Sequence, residues 1–403
     1  MNLGLFSYLL NSKIFMGVLL WIKRLWFLWL PIVLGDLFLN AWSCQARLNF
    51  LRNMQWVLLE IRIPRGVLKG PHAVEIILNS LYLKPSSDPW WKWKRLKNFF
   101  KGTIVDWYSL EIASINGAVR FFVRAPKPAR NFVQSQIYAQ FPGAEILEAE
   151  DYTYLADFGN LNEWDIWGSE LKLVKEDAYP IRTYIDFGLH QIIDEKAEAQ
   201  KINPLVSFLE FLGSLKQGEQ AWMQIVVRGV GSEWIDSGKK LIDEIMGRNK
   251  KTSAGETPEK KVLTKGEQEV VAAMERNMAK IAFKTGIRMM YIARRDIFNK
   301  VNGGALIGLM NQYSTQNLNG FKGGKSVSAK FLFKKRREEL KKKGMLNNYR
   351  KRYFLDYPCA RETFVFNTEE LATIYHFPGR VAETPTFERI EAKRGTPPIN
   401  LPI

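Results

Sequence analysis

The chain has 403 residues, of which 46% are hydrophobic and 13% aromatic, a composition that fills sizeable cores and excludes a disordered or fibrous protein. Its 58 Lys and Arg residues against 41 Asp and Glu give a formal net charge of +17, which favours nucleic acid or an anionic membrane as a partner. Two cysteines and three widely separated histidines exclude a disulfide scaffold and a Cys-rich zinc site, and leave little for a His-based metal site.

The positive charge is concentrated in three short segments. Residues 1–52 carry five basic residues against one acidic (net +4), and residues 84–103 carry six against one (net +5). Residues 321–352 carry thirteen against two (net +11), so the rest of the chain nets −3. We therefore expect polyanion contacts at these three segments only.

An apolar segment near the N-terminus predicts a transmembrane helix. Residues 25–42 contain one charged residue, Asp36, and a spanning helix needs about 20 mainly apolar residues. A shorter apolar run, residues 14–22, leaves the number of membrane passes open, and a buried core helix is the alternative. The candidate interfacial residues of this segment are Trp26, Trp29 and Trp42.

The charges that flank this segment bear on its orientation. Arg47 and Arg52 favour a cytoplasmic location for the domain on their C-terminal side, whereas Lys23 and Arg24 favour the opposite. We expect the cell (inner) membrane as the location, with residues 1–53 as the membrane segment and the soluble domains in the cytoplasm.

The first soluble domain, residues 54–150, is predicted to have the element order β-α-β-β-α-β. Alternation from Trp56 to Ile63 indicates a strand, and helical spacing follows Pro71. The pair Asn116-Gly117 between two strand-like runs is a strong hairpin signal, because both turn residues must adopt positive φ. This order is that of a ferredoxin-like fold.

A basic, aromatic insertion at residues 84–103 interrupts that order. Aromatic rings interleaved with cations favour an interfacial membrane segment, with Trp90, Trp91 and Trp93 at the headgroup boundary. The same mixture suits stacking on bases and neutralising phosphates, and a loop packed on its own domain is the remaining alternative.

The second soluble domain, residues 151–320, is predicted as an elaborated ferredoxin-like unit. Residues 170–176 and 181–187 look like strands, and a polar insert at 248–266 looks like a flexible linker. The last strand is not evident within the domain, and residues 363–366 are a candidate for it. The predicted fold class is thus α+β, with an N-terminal transmembrane helix and two ferredoxin-like units.

Residues 321–352 form a predicted basic arm. Dense cations bind phosphates through counterion release, without reading sequence; a solvated charged helix and contact with juxtamembrane lipid are the alternatives. The candidate nucleic-acid-binding or polyanion-binding residues are Lys334, Lys335, Arg336, Arg337, Lys341, Lys342, Lys343, Arg350, Lys351 and Arg352.

The C-terminal segment, residues 353–403, is predicted to hold a short helix and a Pro-rich tail. Asn367 and Glu370 have capping-box spacing, and Pro378 follows the predicted helix end. His376 is interpreted as a residue of this helix rather than as a ligand or base.

No motif for catalysis stands out. Residues 319–326 end in Gly324-Lys325-Ser326, but Asn319 replaces the first glycine of a phosphate loop and a helix precedes the motif. Nucleophile-elbow and zinc-protease motifs are not found. We therefore predict a non-enzymatic chain with no cofactor and no metal; a hydrolase whose site escapes sequence inspection is the third class considered.

Several stretches resemble a bacterial domain family of unknown function. They are residues 56–64, 132–141, 177–182, 367–378 and 397–402, and the resemblance covers roughly residues 54–403. That family occurs before, or is encoded beside, the motor ATPases of conjugative transfer and type IV secretion-like systems, notably in small-genome candidate-phylum bacteria. In fused relatives a RecA-like ATPase begins just after an element resembling residues 397–402.

The resemblance implies context rather than chemistry, since the family has no catalytic residues to carry over. It implies a separate RecA-like ATPase as partner, or an ATPase lost by truncation, and candidate partner contacts at Asn367, Glu370, His376, Pro397 and Pro398. The leading hypothesis is a membrane-anchored, non-catalytic, oligomeric subunit of a conjugative DNA-transfer or type IV secretion-like motor that contacts DNA. The alternative is a membrane-surface scaffold that binds anionic lipid and no nucleic acid.

Overall fold

The computed structural model describes residues 24–64, 69–83, 101–190, 202–248, 263–329, 333–354 and 361–378. The chain divides into two compact units. One comprises residues 1–54 and 88–104, and the other comprises residues 55–87 and 105–403.

The first unit is built on one long apolar helix, α1 (Trp26–Asn53). It continues past Trp42, the predicted end, and its 28 residues span about 42 Å at 1.5 Å per residue, more than the roughly 30 Å of a bilayer core. Its most apolar window has a mean hydropathy of 1.4 and is 6% buried. By length and composition, α1 fits a membrane anchor or a signal sequence.

In the part of the chain that the structure describes, the second unit consists of an antiparallel sheet of nine strands with helices packed on it. Its elements in chain order are β1 (Trp56–Arg62), α2 (Pro71–Ser80), β2 (Tyr108–Ile115), β3 (Ala118–Pro126), α3 (Arg130–Gln140), β4 (Glu145–Glu148), β5 (Trp164–Leu173), α4 (Pro204–Gly213), β6 (Glu219–Gly229), α5 (Glu233–Ile245), α6 (Lys265–Met278), β7 (Ala282–Arg294), α7 (Lys300–Met310), β8 (Phe321–Ser326), α8 (Lys334–Lys351), β9 (Phe364–Asn367) and α9 (Thr368–Ile374).

The strand order along the sheet is β4-β1-β3-β2-β6-β7-β5-β8, and β9 pairs with β7 beside this path. The first half of the sheet thus has the order β4-β1-β3-β2. Counted from the opposite edge, the second half has the equivalent order β8-β5-β7-β6, so each half places its fourth, first, third and second strands in that succession. The two halves join where β2 pairs with β6 in an antiparallel register from Tyr108–Val227 to Ile115–Gln220. Residues on both sides of position 150 thus contribute to one continuous sheet.

The predicted hairpin at Asn116-Gly117 is confirmed. These two residues connect β2 and β3, with φ of 54° for Asn116 and 85° for Gly117. A Cβ on Gly117 would lie 2.6 Å from the carbonyl oxygen of Leu215, so this position requires glycine for space as well as for conformation.

The strand predicted at residues 181–187 does not form. Ile181, Thr183 and Tyr184 are buried as expected of a strand, but their amides donate to side chains instead of to a neighbouring strand. The acceptors are Glu370 for Ile181, Asp186 for Thr183 and Thr373 for Tyr184. Since side chains satisfy these donors, the segment is buried without joining the sheet.

The glycine-rich motif at residues 319–326 is also not a phosphate loop. Residues 321–326 form β8, which pairs with β5 through Phe321–Leu173 and Gly323–Leu171. Asn319 precedes β8, and its buried amide donates to the carbonyl oxygens of Lys175, Glu176 and Tyr179. The motif therefore builds an edge strand and its entry turn.

The two faces of the sheet are covered differently. Helices α2, α3, α4, α7 and α9 contribute to the larger apolar cluster on one face. On the other face the smaller cluster includes Trp222 of β6 and Met290 of β7, and α8 covers it with Met345, Leu346 and Tyr349. The segment predicted as a basic arm therefore also covers one face of the sheet through the apolar residues of α8.

Elements from the C-terminal part of the chain complete the core. β9 pairs with Ala282–Thr285 at the start of β7, whereas β5 pairs with the later residues from Arg288 onward, so both strands share one edge of β7. Every residue from 364 to 378 is buried. The strand proposed at residues 363–366 exists, with bounds Phe364–Asn367, but the expectation that it is the last strand of the second unit is wrong, because β8 pairs with β5 and β9 adds to β7.

Candidate functional site: a basic helix on the sheet

The helix α8 carries most of the charge of the predicted basic arm. It has nine basic residues against Glu338 and Glu339. Seven of the nine are exposed, and we call these seven the cation surface: Lys334, Lys335, Arg336, Arg337, Lys341, Lys343 and Lys351.

The first turn of α8 runs against the usual charge preference of helices. Four cations, Lys334 to Arg337, occupy the end where the helix macrodipole is positive, and each such placement costs roughly 0.3–1 kcal/mol at low ionic strength. The turn has no acidic residue, and Phe333 at the N-cap position provides no side-chain cap and has a φ of 57°. Helix stability does not explain this sequence, whereas an anionic ligand would compensate its charge.

The inner side of α8 fixes the helix to the sheet. Met345, Leu346 and Tyr349 are buried in the smaller cluster, and the ring of Tyr349 lies 5.3 Å from that of Trp222. The Tyr349 hydroxyl lies 2.8 Å from that of Tyr152. Because these contacts lock the helix in place, the cation surface is held on a rigid base.

Arg352, at the end of α8, departs from the prediction. Its side chain is fully buried, and its Nε and Nη2 donate to the two carboxylate oxygens of Glu111 at 2.9 and 3.0 Å, while Nη1 pairs with Asp151. Burial alone would raise the pKa of Glu111, but the charge and hydrogen bonds of Arg352 hold that pKa below its usual value. Arg352 is thus a structural ion-pair partner and cannot face a polyanion.

Arg350 and Lys342 are likewise engaged within the chain. Arg350 donates to the carbonyl oxygen of Thr153 at 2.9 and 3.1 Å and lies over the Tyr154 ring. Lys342 pairs with Asp165. These two residues are only partly exposed, so we remove them from the set available to a ligand.

The candidate interfacial tryptophans fall into two groups. On α1, Trp26 and Trp42 are exposed, at 55% and 47%. The side chain of Trp29 lies outside the described residues, as do Trp90, Trp91 and Trp93.

The predicted partner contacts near the C-terminus are buried inside the chain. The predicted capping box is confirmed: the Asn367 side chain accepts from the Glu370 amide, and the Glu370 carboxylate accepts from the Asn367 amide. Burial raises the pKa of Glu370 to about 8 and lowers that of His376 to about 4. Since all three side chains are at most 2% exposed, they hold α9 in the core instead of meeting a partner; Pro397 and Pro398 lie outside the described residues.

A buried ionic cluster around α9 was not predicted from the sequence. Lys280 pairs with Glu75 at 2.6 Å and with Glu369 at 2.8 Å, and Tyr184 donates to Glu75 at 2.5 Å. These residues come from four separate stretches of the chain. The local signal is weak: a charged residue in each of two apolar-patterned helices, Glu75 in α2 and Glu369 in α9.

The chain matches a known protein family. The profile of a family described as a domain of unknown function (DUF8128) matches residues 94–389. The chain belongs to this family. The matched region extends from before β2 to beyond α9, and so contains α8, the cation surface and the buried Glu111–Arg352 pair. No curated protein sequence matches the chain significantly.

Proposed function

We propose that this chain is a membrane-anchored, non-catalytic subunit of a conjugative DNA-transfer or type IV secretion-like motor, in which α8 binds DNA phosphates and a separate phosphate-loop ATPase supplies the energy. The observation that carries the proposal is the cation surface: seven exposed basic residues on a helix whose inner side is locked to the sheet. Such a surface binds phosphates through charge, without sequence readout.

The repeated strand order supports the platform part of the proposal. Each half has the succession β-α-β-β-α-β, with α5 and α6 inserted in the second, and each has the strand order fourth, first, third, second. We infer two ferredoxin-like units fused through β2 and β6. A rigid double-length sheet suits a docking role, because it holds α8 on one face and a helical layer on the other.

The membrane and motor parts of the proposal have different support. The apolar helix α1 supports anchoring. The motor context comes from the sequence resemblance to a family found beside conjugative ATPases. Residues 379–403, beyond the described helix α9, are the segment we assign to ATPase contact.

DNA binding is tested with the full chain in detergent and fluorescein-labelled DNA of about 20 nucleotides, single-stranded and duplex, over a range of salt concentrations. The quadruple variant Lys334, Lys335, Arg336 and Arg337→Ala should weaken binding and make the log–log salt slope on single strands shallower by about 3, near 0.7 per lost phosphate contact.

The matched control removes the same charge elsewhere. Lys216, Lys239, Lys240 and Lys265 are exposed lysines on other surfaces of the sheet unit, and their replacement by Ala should leave the slope unchanged. Equal losses of DNA affinity in the two quadruple variants would show that the net charge of the chain alone drives binding. Absence of DNA binding, together with absence of an ATPase when the chain is purified from native membranes, would overturn the proposal.

One observation favours the second candidate, a scaffold on anionic lipid. Phe333 and Leu340, among the cations of α8, are 79% and 64% exposed, and exposed apolar groups among cations suit a membrane interface. Vesicle flotation and DNA binding separate the two candidates, measured on the double variant Phe333 and Leu340→Ser. If lipid is the target, this variant should abolish flotation of a chain from which α1 has been deleted. If DNA is the target, the variant should bind DNA with native affinity.

A further inference from the structure

A pocket opens beside α8, where that helix faces the end of β8. Its volume is about 460 Å³, within the range of small-ligand sites. Lys325 and Ser326 of β8 line one side, Lys341, Gly344 and Asn348 of α8 line another, and Arg361 lies at the rim with Glu170. The pocket therefore combines charged and polar groups with a mainly apolar lining, and it adjoins the cation surface through Lys341.

The charges around this pocket favour an anion. Three cations, Lys325, Lys341 and Arg361, line it against the single carboxylate of Glu170. Two of them already have acceptors within the chain, because Lys341 donates to the carbonyl oxygen of Ser328 at 2.6 Å and Arg361 pairs with Glu170 at 3.4 Å. That carboxylate is itself compensated, because Arg288, which is fully buried, donates to it at 3.0 Å. The local balance is positive, and the phosphate group is the common biological anion that several Lys and Arg side chains bind together.

The remaining lining groups suit the edge of a base. The hydroxyl of Ser326 and the amide of Asn348 both donate and accept hydrogen bonds, and Met345 contributes an apolar wall. Each side of the pocket thus carries a cation and a hydrogen-bonding group, a combination that suits a nucleotide. A duplex keeps its bases stacked inside a rod and cannot place one here, whereas a single strand can turn a base outward.

We propose that this pocket holds one nucleotide of a single-stranded nucleic acid, so that the cation surface binds a single strand in preference to a duplex. The inference rests on the proposed function and specifies its substrate. Lys325, Lys341 and Arg361 bind the phosphate of that nucleotide, and Ser326 and Asn348 contact its base.

Gly344 allows the pocket to be closed without changing any charge. It lies in the middle of α8, it is exposed, and no heavy atom lies within 4 Å of the position that its Cβ would occupy. Gly344→Leu places a branched side chain over the pocket. Because glycine is the poorer helix former, this variant should fold at least as well as the native chain.

The experiment measures the affinity of the full chain in detergent for labelled single-stranded and duplex DNA of about 20 nucleotides. We expect the native chain to prefer the single strand. Gly344→Leu should weaken single-strand binding about tenfold and leave duplex binding unchanged, because it excludes a nucleotide that only a single strand can place in the pocket. Gly344→Ala is the matched control and should bind like the native chain.

The outcomes separate this inference from the proposed function. If the quadruple variant of the cation surface loses DNA binding while Gly344→Leu binds single strands normally, the pocket proposal is wrong and the function stands. Equal native affinity for single strand and duplex overturns the pocket proposal as well. If Gly344→Leu loses binding to vesicles of anionic lipid and keeps its native affinity for DNA, the pocket holds a lipid headgroup and the nucleotide proposal is wrong.

Discussion

Removal of Arg352 should be among the most destabilising single changes in the sheet unit. Arg352→Met keeps much of the side-chain volume but leaves Glu111 buried without its cation, although Ser109 and Tyr152 still donate to it. Breaking a buried pair by removing one partner costs about 3–5 kcal/mol. Asp151, the second acid that loses Arg352, has a side chain that is 29% exposed, so water partly replaces the lost cation there. We therefore expect Arg352→Met to cost about 3–4 kcal/mol.

The assay is urea unfolding of the full chain in detergent, monitored by far-UV circular dichroism. The slope of the free energy of unfolding against urea concentration should be the same for both chains. The double variant Glu111→Met, Arg352→Met is the control. It removes both charges, so it should recover a large part of the loss. A cost below about 1 kcal/mol for Arg352→Met would refute the view that this guanidinium is needed to compensate a buried carboxylate.

The pH dependence of the same variant gives a test of sign. In the native chain the pKa of Glu111 is held below its usual value of 4.5, so its contribution is present above pH 4.5 and is lost as the pH falls further. In Arg352→Met, burial acts without the compensating cation and raises that pKa. Acidification from pH 7 toward 4.5 should therefore narrow the gap in stability between variant and native chain; a gap that widens would contradict the electrostatic account.

Three further predictions concern other parts of the fold. Gly117→Ala should cost about 1–3 kcal/mol in urea unfolding, because φ is positive and the Cβ would meet Leu215, whereas Gly304→Ala, whose Cβ would meet nothing within 4 Å, should cost nothing. Burial lowers the pKa of His376 to about 4, so the native chain should lose stability relative to His376→Gln as the pH drops from 6.5 to 4, by up to about 1.4 kcal/mol per unit; the raised pKa of Glu370 has the opposite effect in both chains and cancels from this difference. Lys280→Met should cost roughly 2 kcal/mol, since the buried Glu75 loses its lysine partner, Glu369 keeps Arg276 as its cation, and Lys280 itself is only partly buried; thermal melting without a downward shift would contradict this.

Local patterns predicted the first half of the sheet unit well. The helix after Pro71 and the turn at Asn116-Gly117 depend on contacts between residues close in sequence, and both form where expected. The capping box at Asn367 is local for the same reason. Such features are readable from sequence because neighbouring residues alone determine them. The strand at Trp56 also forms where expected, although its partners β3 and β4 are distant in sequence.

The failures share one physical cause, which is dependence on distant residues. Arg352 is one of thirteen cations in a basic run, and it is distinguished by its partners Glu111 and Asp151, which lie 241 and 201 positions away. Residues 181–187 have the alternation of a strand, but the amides of Ile181 and Tyr184 donate to side chains of α9 that lie nearly 190 positions later. Periodicity indicates that a residue is buried; it does not indicate which partner satisfies its polar groups.

The buried segment from residue 364 to residue 378 has a consequence for synthesis of the protein on the ribosome. Its strand β9 pairs with the edge of β7, and its residues Tyr375 and Phe377 pack against Phe121 of β3. Both halves of the sheet therefore lack part of their native packing until this segment is in place. A nascent chain halted before residue 364 would expose a partly unpaired β7 and an open apolar cluster, which are aggregation hazards. We therefore expect the sheet unit to reach its native core only after residue 378 has left the exit tunnel, and to need protection by chaperones until then.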